Sequence, residues 1–577
     1  RNKIPKAAVQ IVRKKAAARM VALWGCLCLL FALFHSAQNP HPIVAESVSI
    51  NRDLLWNIGN GNALMQAFPA QDIRFVEVRF SYHYLTELVA AGMCLVSGAS
   101  SYDVFTFFSG PVFLAGELVA LYMLGRCFYQ DSRKKAAALI ALVLGFQCAS
   151  MWGVFQEKNS IFANTLLKHL ITNINSQATA LIFLCIFTVL FVLLAKEKFA
   201  ASWQLFGACL LSFALLTLAK GPQAAIVLCS LAVTMVIVLV FQKPRYLAAI
   251  TFLMTTVAIF LVLYRFLFSS GANSSMTFSI FSMQQSLPYM VLSPWADWLC
   301  AHLSISGYVW LTLIGVINVF CMLPFQFVLW LRGLPTTIKG LFHLEPGHIL
   351  ANGIVAGGFL AYHLFWHPNS SQAYFALLGM LFLSVLAVEQ LDKLWRKTGV
   401  FRWVAATCGV VGLCTTLCMV ISYGATGIQQ LTVSMGITQA QPQEGSVFTE
   451  DEQAMEWLRQ NSDFSMVFAT NRTSGFPSQT DGISNVYSAF SGRQAYMEGW
   501  TYAVSNMGVS QEVVDHRLQV NEKLFSPDTT VKEIEELCRT EQIQWLVYAK
   551  EYPGEVSAQL TPQFENDHVA IYYIGEE

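Results

Sequence analysis

Charge is scarce in this chain. Only 12% of its 577 residues are Asp, Glu, Lys or Arg, and the 36 basic side chains cancel the 36 acidic ones. No basic domain stands out, which excludes a nucleic-acid partner. Metal-site spacings are missing too. The 14 cysteines are scattered without a CxxC…CxxC or Cys/His pattern, and Cys26, Cys185, Cys229 and Cys414 sit in apolar runs as small hydrophobes. Only Cys538 falls in the polar C-terminal region, so no disulfide can form within that region. There is no P-loop and no GxGxxG, hence no sign of nucleotide binding. No internal repeat is visible, although transporters usually carry one. No metal and no cofactor are expected.

Apolar residues are abundant. They make up 55% of the chain, as in a polytopic membrane protein. A bilayer core takes about 20 apolar residues per helix. Candidate spans are 18–36, 104–127, 136–152, 177–195, 203–219, 222–242, 246–268, 304–331, 349–366, 372–390 and 401–423. Segment 83–98 is short, with His83, Thr86 and Glu87 on one helical face, and reads either as a span or as an interfacial helix.

Positive charge decides between these readings. The N-terminus, with Lys3, Lys6, Arg13, Lys14, Lys15 and Arg19, is expected in the cytoplasm. If 83–98 does not cross, four more basic clusters fall inside: Arg126 to Lys135, Lys196 and Lys198, Lys243 and Arg245, and Arg332 and Lys339. Lys393, Arg396, Lys397 and Arg402 fall inside as well. A crossing at 83–98 would turn all of these outward. The expectation is eleven spans, N-terminus in and C-terminus out. No A-x-A-like cleavage site follows the first apolar run, so it is read as a retained span rather than a signal peptide. Position 1 is Arg1, so the numbering is expected to start inside a longer gene product. The parts expected outside are a first loop at 37–103, segments 153–176 and 269–303, a turn at 367–371, and everything after 424.

Residues 424–577 are polar and read as an extracytoplasmic α/β domain beside a transmembrane domain of residues 1–423. Thr449 to Glu452 reads as a capping box for a helix at 450–460, and Thr530 with Glu533 for one at 531–541. A further helix is expected at 510–524, and strands at 465–470, 543–549 and 568–574. YSAFSGRQAYMEGW (487–500) reads as a carbohydrate-stacking surface or as a packed loop.

NRDLLWNIGNGNALMQAFP followed by RFSYHYLTELVAAGMCLVSGASSYDVF is similar to the first external loop of GT-C glycosyltransferases, in particular the protein mannosyltransferase-like and aminoarabinose transferase-like members. EDEQAMEWLRQNSD…YSAFSGRQAYMEGW resembles the tail of bacterial membrane proteins grouped with them. The resemblance implies a GT-C-like α-helical membrane protein that moves a sugar from a polyprenyl-phosphate donor to an extracytoplasmic acceptor. The acceptor is a cell-envelope glycan, a lipid or a protein. Asp53 is followed by Leu54, where many mannosyltransferases have Asp-Glu, and no WWD-type motif occurs, which argues against oligosaccharyl transfer.

Such a transfer needs a base for the acceptor hydroxyl and a positive charge for the leaving phosphate. Of the external carboxylates Glu46, Asp53, Asp72, Glu77, Glu87, Asp103, Glu157 and Asp297, Asp53 is preferred as the base. It opens a helix on which Asn57 and Asn60 share its face. The competing reading is an N-cap aspartate. Arg265, Lys220 and Lys168 are the phosphate candidates, ahead of Arg74, Arg79 and Lys158. Arg265 lies in an apolar run, where a charge calls for a partner or a function unless it snorkels. Glu87, Asp103, His83, His363 and His367 are candidate site lining. The alternatives to transfer are a lipid-linked glycan transporter or flippase, and a non-catalytic scaffold of the same architecture.

Overall fold

The computed structural model describes residues 14–38, 50–148, 176–267, 306–340, 345–366, 372–396, 399–438 and 445–575, with short pieces between. Seven of its helices are individually long and apolar enough to cross a membrane, so the chain is a polytopic helical membrane protein. They are the first helix α1 (Lys14–Gln38), Ser101–Phe128, Ser176–Lys196, Gly221–Phe241, Tyr246–Leu267, Ala373–Arg396 and Val400–Ser434. Large apolar side chains such as Val236, Leu247, Val262 and Trp403 are exposed on these helices, as contact with lipid tails requires. Gly427 lets α1 come close to the last of them, because a Cβ there would lie 2.0 Å from the carbonyl oxygen of Leu33.

Among the described residues, one of the eleven expected spans is built differently from the sequence expectation. The single span at 304–331 is two helices, Gly307–Met322 and Pro324–Gly340, bent by 119°. Pro324 has no N–H to continue the ladder and restricts Leu323 before it, so the break falls between them. Counted as one, this pair brings to eight the described helices that are individually long and apolar enough to cross. Trp203–Ala219 has 17 residues, at the short end of a crossing length, and Arg133–Leu144 has 12. Pro346–Leu364 carries polar His348 and Asn352 in its first turns. The final helix continues past 423 to Ser434, so the polar region begins helical.

Two short helices fill the first loop. α2 is Arg52–Gln66 and α3 is Leu85–Ser97. At 1.5 Å per residue α3 is about 20 Å long, too short for a hydrocarbon core of about 30 Å. Its apolar Leu88, Val89, Leu95 and Val96 point outward, while Thr86 and Glu87 are buried inside. That arrangement suits a helix lying at the membrane surface.

The C-terminal region is a five-stranded sheet with helices. A two-residue ladder of β1 (Thr277–Phe278) and β2 (Phe365–Trp366) precedes it. The sheet strands are β3 (Val467–Thr470), β4 (Gln494–Ala495), β5 (Trp545–Ala549), β6 (Phe564–Glu565) and β7 (Val569–Tyr573), in the order β4-β3-β5-β7-β6. β4, β3 and β5 are parallel; β7 runs antiparallel to β5 and β6. Helices Gln511–Leu524 and Val531–Thr540 stand where the sequence places them, and the Thr530–Glu533 capping box is present.

The cap of Thr449–Asn461 differs from expectation. Asp451, not Glu452, reaches back, accepting from the Phe448 N–H at 2.9 Å. Asp451 also binds Arg472 at 3.0 Å and the Tyr487 hydroxyl at 2.9 Å, and the three are buried together. Segment 487–500 is mostly packed interior: Tyr487, Tyr496 and Glu498 are fully buried, and Glu498 accepts from the Tyr487 and Ser488 amides.

The first loop joins this sheet. The Ala495 amide donates to Ile73 at 2.6 Å, the Val76 amide donates to Ala495 at 3.1 Å, and Glu498 N–H donates to Arg74 at 2.7 Å. The loop thereby covers the β4 edge, which would otherwise present unpaired backbone groups.

Candidate active site

The site forms where α2, α3, the ends of three spans and the C-terminal region converge. Asn51 is the N-cap of α2, and its side chain accepts from the Asp53 amide at 2.8 Å. Asp53 is therefore released from the capping role that competed with catalysis. Among the described residues, no hydrogen bond to its carboxylate is seen. Asp53 is solvent-accessible yet hemmed in by protein, as at the mouth of a recess. Burial raises its carboxyl pKa, and Lys220 pulls it back down.

Lys220 sits between Trp203–Ala219 and Gly221–Phe241 and is only 5% exposed. Its ammonium lies 3.0 Å from Ser176 Oγ, 3.3 Å from His83 Nε2 and 3.8 Å from the centre of the Tyr374 ring. Burial lowers its pKa to about 8, while Glu87 and Asp53 push it up. It stays charged at neutral pH. His83 is driven well below the usual imidazole range by burial and by Lys220, so its neutral Nε2 accepts from the ammonium.

Glu87 is fully buried. Burial raises its pKa to about 7; Asn60, Lys220 and Arg74 lower it. Asn60 is near enough to ease the charge, yet its Nδ2 and both Glu87 oxygens lack a partner at good hydrogen-bond geometry. Glu87 is therefore a buried carboxyl whose charge the nearby Lys220 and Arg74 ease only in part. The Tyr82 phenol is raised by burial, then by Tyr374, Glu87, Asp53 and Tyr502, which places all five in one cluster.

Glu87 makes stability depend on pH. The folded chain keeps its proton up to about 7, whereas the unfolded chain releases it near 4.5. Between these values the folded state binds more protons, so stability falls as pH rises, by on the order of 3 kcal/mol across that window. Lys220 acts in a separate window: between about 8 and 10.5 the unfolded chain holds the extra proton, so stability recovers as pH rises. Glu87→Gln should remove the first limb. Its thermal midpoint should exceed that of the parent at pH 7.5 and approach it at pH 4.5. Parallel midpoints of parent and variant across that range would contradict the assignment.

The other expected site residues are placed as follows. Arg74 is buried and committed, to Asp72 at 2.6 Å, to Asn60 Oδ1 at 2.7 Å, to the Trp56 carbonyl at 3.1 Å and to the Trp56 ring at 3.4 Å. Asp103 accepts from Ser100 Oγ at 2.7 Å and returns a 3.1 Å amide bond, a helix cap before Ser101–Phe128. His363 is buried between the Phe359 carbonyl and Asn318. Arg265 is exposed at the end of its span, without a hydrogen bond or ion pair to Asp53, Glu87 or Lys220 among the described residues. Arg79 lies 4.9 Å over the neighbouring Phe266 ring. Lys168, His367, Glu46, Glu157, Lys158 and Asp297 lie outside the described residues.

Sequence reasoning missed the polar layer that holds Lys220. Gln223 bonds Gln177 at 2.8 Å and the Tyr374 carbonyl at 2.9 Å, and Thr86 meets Thr179 at 2.6 Å. The signal was present: Ser176, Gln177, Thr179, Gln223 and Tyr374 all start apolar helices. Tyr502, its ring tilted by 37° and centred 4.3 Å from that of Trp56, comes from the C-terminal region and gave no local signal. Among the described residues no three potential metal ligands gather.

No protein-family model matches the chain, and no curated protein matches it. Solved structures do. The archaeal oligosaccharyltransferase AglB from Archaeoglobus fulgidus matches at TM-score 0.48 and 11% identity, over 91% of this chain and 69% of that one. ArnT from Cupriavidus metallidurans matches at TM-score 0.48 and 12% identity, over 97% and 98%. The arabinofuranosyltransferase AftD from Mycobacteria matches at TM-score 0.48 and 11% identity, over 96% and 40%. At these values the likeness decides nothing about chemistry here.

Proposed function

We propose that the chain is a membrane glycosyltransferase that moves a sugar from a polyprenyl-phosphate-linked donor to an acceptor hydroxyl. The supporting observation is the pairing of an uncapped, accessible Asp53 with a buried Lys220 at one end of the span bundle. A carboxylate in a recess can accept a hydroxyl proton as the acceptor oxygen attacks the anomeric carbon. The bond from that carbon to the phosphate oxygen breaks, and Lys220 neutralises the charge left on the leaving phosphate. Glu87 and His83 set the charge and aim of Lys220. Attack opposite the leaving group inverts the anomeric centre. Arg265 and Arg79, near the same end of one span, belong to the approach of the donor lipid rather than to the reacting centre.

The loop and sheet face belongs outside the cell under this reading, since lipid-linked sugars are used there and the basic connections lie at the other end. A membrane-impermeant thiol reagent should label a cysteine placed at exposed Gln479 and spare one at exposed Lys134 in intact cells. The reverse pattern would invert the orientation. The activity itself is tested by lipid analysis of cells with and without the protein. Loss should leave one polyprenyl-phosphosugar accumulated; an unchanged lipid profile would remove the donor class.

A further inference from the structure

A second recess lies away from Asp53. Its volume is about 280 Å³, and it opens where the far end of α2 and the turn after α3 meet Thr449–Asn461 and the 489–493 segment. From Asp53 to Asn62, α2 rises about 14 Å, so the two sites are separate. One wall is aromatic: Tyr102 and Phe490 stack at 5.2 Å. The opposite wall carries Glu452, Glu456, Arg459 and Arg493.

These charges are not equivalent. Arg459 is paired with Glu456. Arg493 is spent on Ser462, at 3.0 Å to the carbonyl and 3.1 Å to the hydroxyl, and on the Arg459 carbonyl. Neither cation is free to grip an anion. Glu452 is half-buried, and among the described residues no donor meets its carboxylate. Burial raises its pKa, and so do Asp103 and Glu456, so the group gains from any neutral donor that reaches it.

An apolar ring face beside an unmet acceptor is complementary to a sugar, whose C–H face stacks on aromatics while its hydroxyls donate. We propose that this recess binds a neutral glycan segment remote from the bond being made, either free or carried on a lipid. The proposal rests on the transferase reading and adds to it a hold on the non-reacting part of a glycan. Binding energy gathered there would help orient the reacting end. The exposed Leu95 of α3 lines the recess, so a glycan on a membrane anchor also has access.

The test uses the full chain in nanodiscs. Probes are neutral oligosaccharides on an array, their uronic-acid and amino-sugar counterparts, and a neutral glycolipid in the disc. At least one neutral glycan should bind in one of the two forms, and which form binds identifies the source. Glu452→Gln, which loses charge but little shape, should weaken that binding at least tenfold. Ala99→Trp, which fills the recess without removing a partner, should do the same. Asp53→Asn should bind like the parent, so a failed transfer assay and a failed subsite remain distinguishable. No neutral glycan bound, preference for charged glycans only, or equal binding by parent and both recess variants would each overturn the proposal.

Discussion

Turnover should fall by about two orders of magnitude or more in Asp53→Asn, while the protein stays folded and keeps its donor affinity. Asn matches the size of Asp and cannot take a proton at neutral pH. The helix start should survive, because Asn51, not Asp53, caps α2. Donor binding should survive too: Asp53 is not the only carboxylate near Lys220, since Glu87 also acts on it. The check is single-turnover transfer with purified protein, alongside thermal unfolding and lipid binding. Near-parental turnover would falsify the base assignment and turn attention to Glu87, whose pKa of about 7 also suits proton transfer but whose burial denies it direct access to an acceptor.

Removing the charge of Lys220 should abolish detectable transfer and weaken polyprenyl-phosphate binding. A single variant is confounded. Taking away one member of a buried charge pair commonly costs about 3–5 kcal/mol through the partner left behind. Lys220→Met alone would leave Glu87 without its main counter-charge. The double variant Lys220→Met with Glu87→Gln removes both charges and keeps the stems, so it should fold. If Lys220 serves the phosphate, this folded double variant still fails to bind the lipid. Glu87→Gln alone should retain binding. Arg265→Ala is the comparator, with an exposed guanidinium and a smaller expected effect. A double variant that binds polyprenyl phosphate like the parent would move the phosphate site to Arg79 and Arg265, since Arg74 is fully engaged.

Legibility in the sequence followed the range of the interaction. Helices and strands set by local periodicity were readable, as at Gln511–Leu524 and Trp545–Ala549. The shortness of α3 was readable from the length of its apolar run. The break at Pro324 was readable in principle, but a continuous apolar run masked it. In the candidate site, Asp53, Lys220, Glu87 and His83 could be singled out because each is a charged or titratable group at an unusual place. Their mutual contacts could not, because Ser176, Tyr374 and Tyr502 arrive from distant segments. Arg74 and Asp103 show the converse: a charge in the right loop can be wholly taken up by structure.

The strand edge shared by the first loop and β4 also fixes an order of events in time. Arg517 reaches the Val76 carbonyl across 441 residues of chain. The ribosome therefore releases the loop bearing Asp53 long before the segment that seals it. Until then the Ile73–Val76 backbone has no sheet to join, and closing so large a loop is slow. On the proposed reading, Asp53 and Lys220 would both be in the bilayer well before the loop beside them gains its sheet partner. Until that partner is made, the loop that carries Asp53 would be held by α2 and α3 alone.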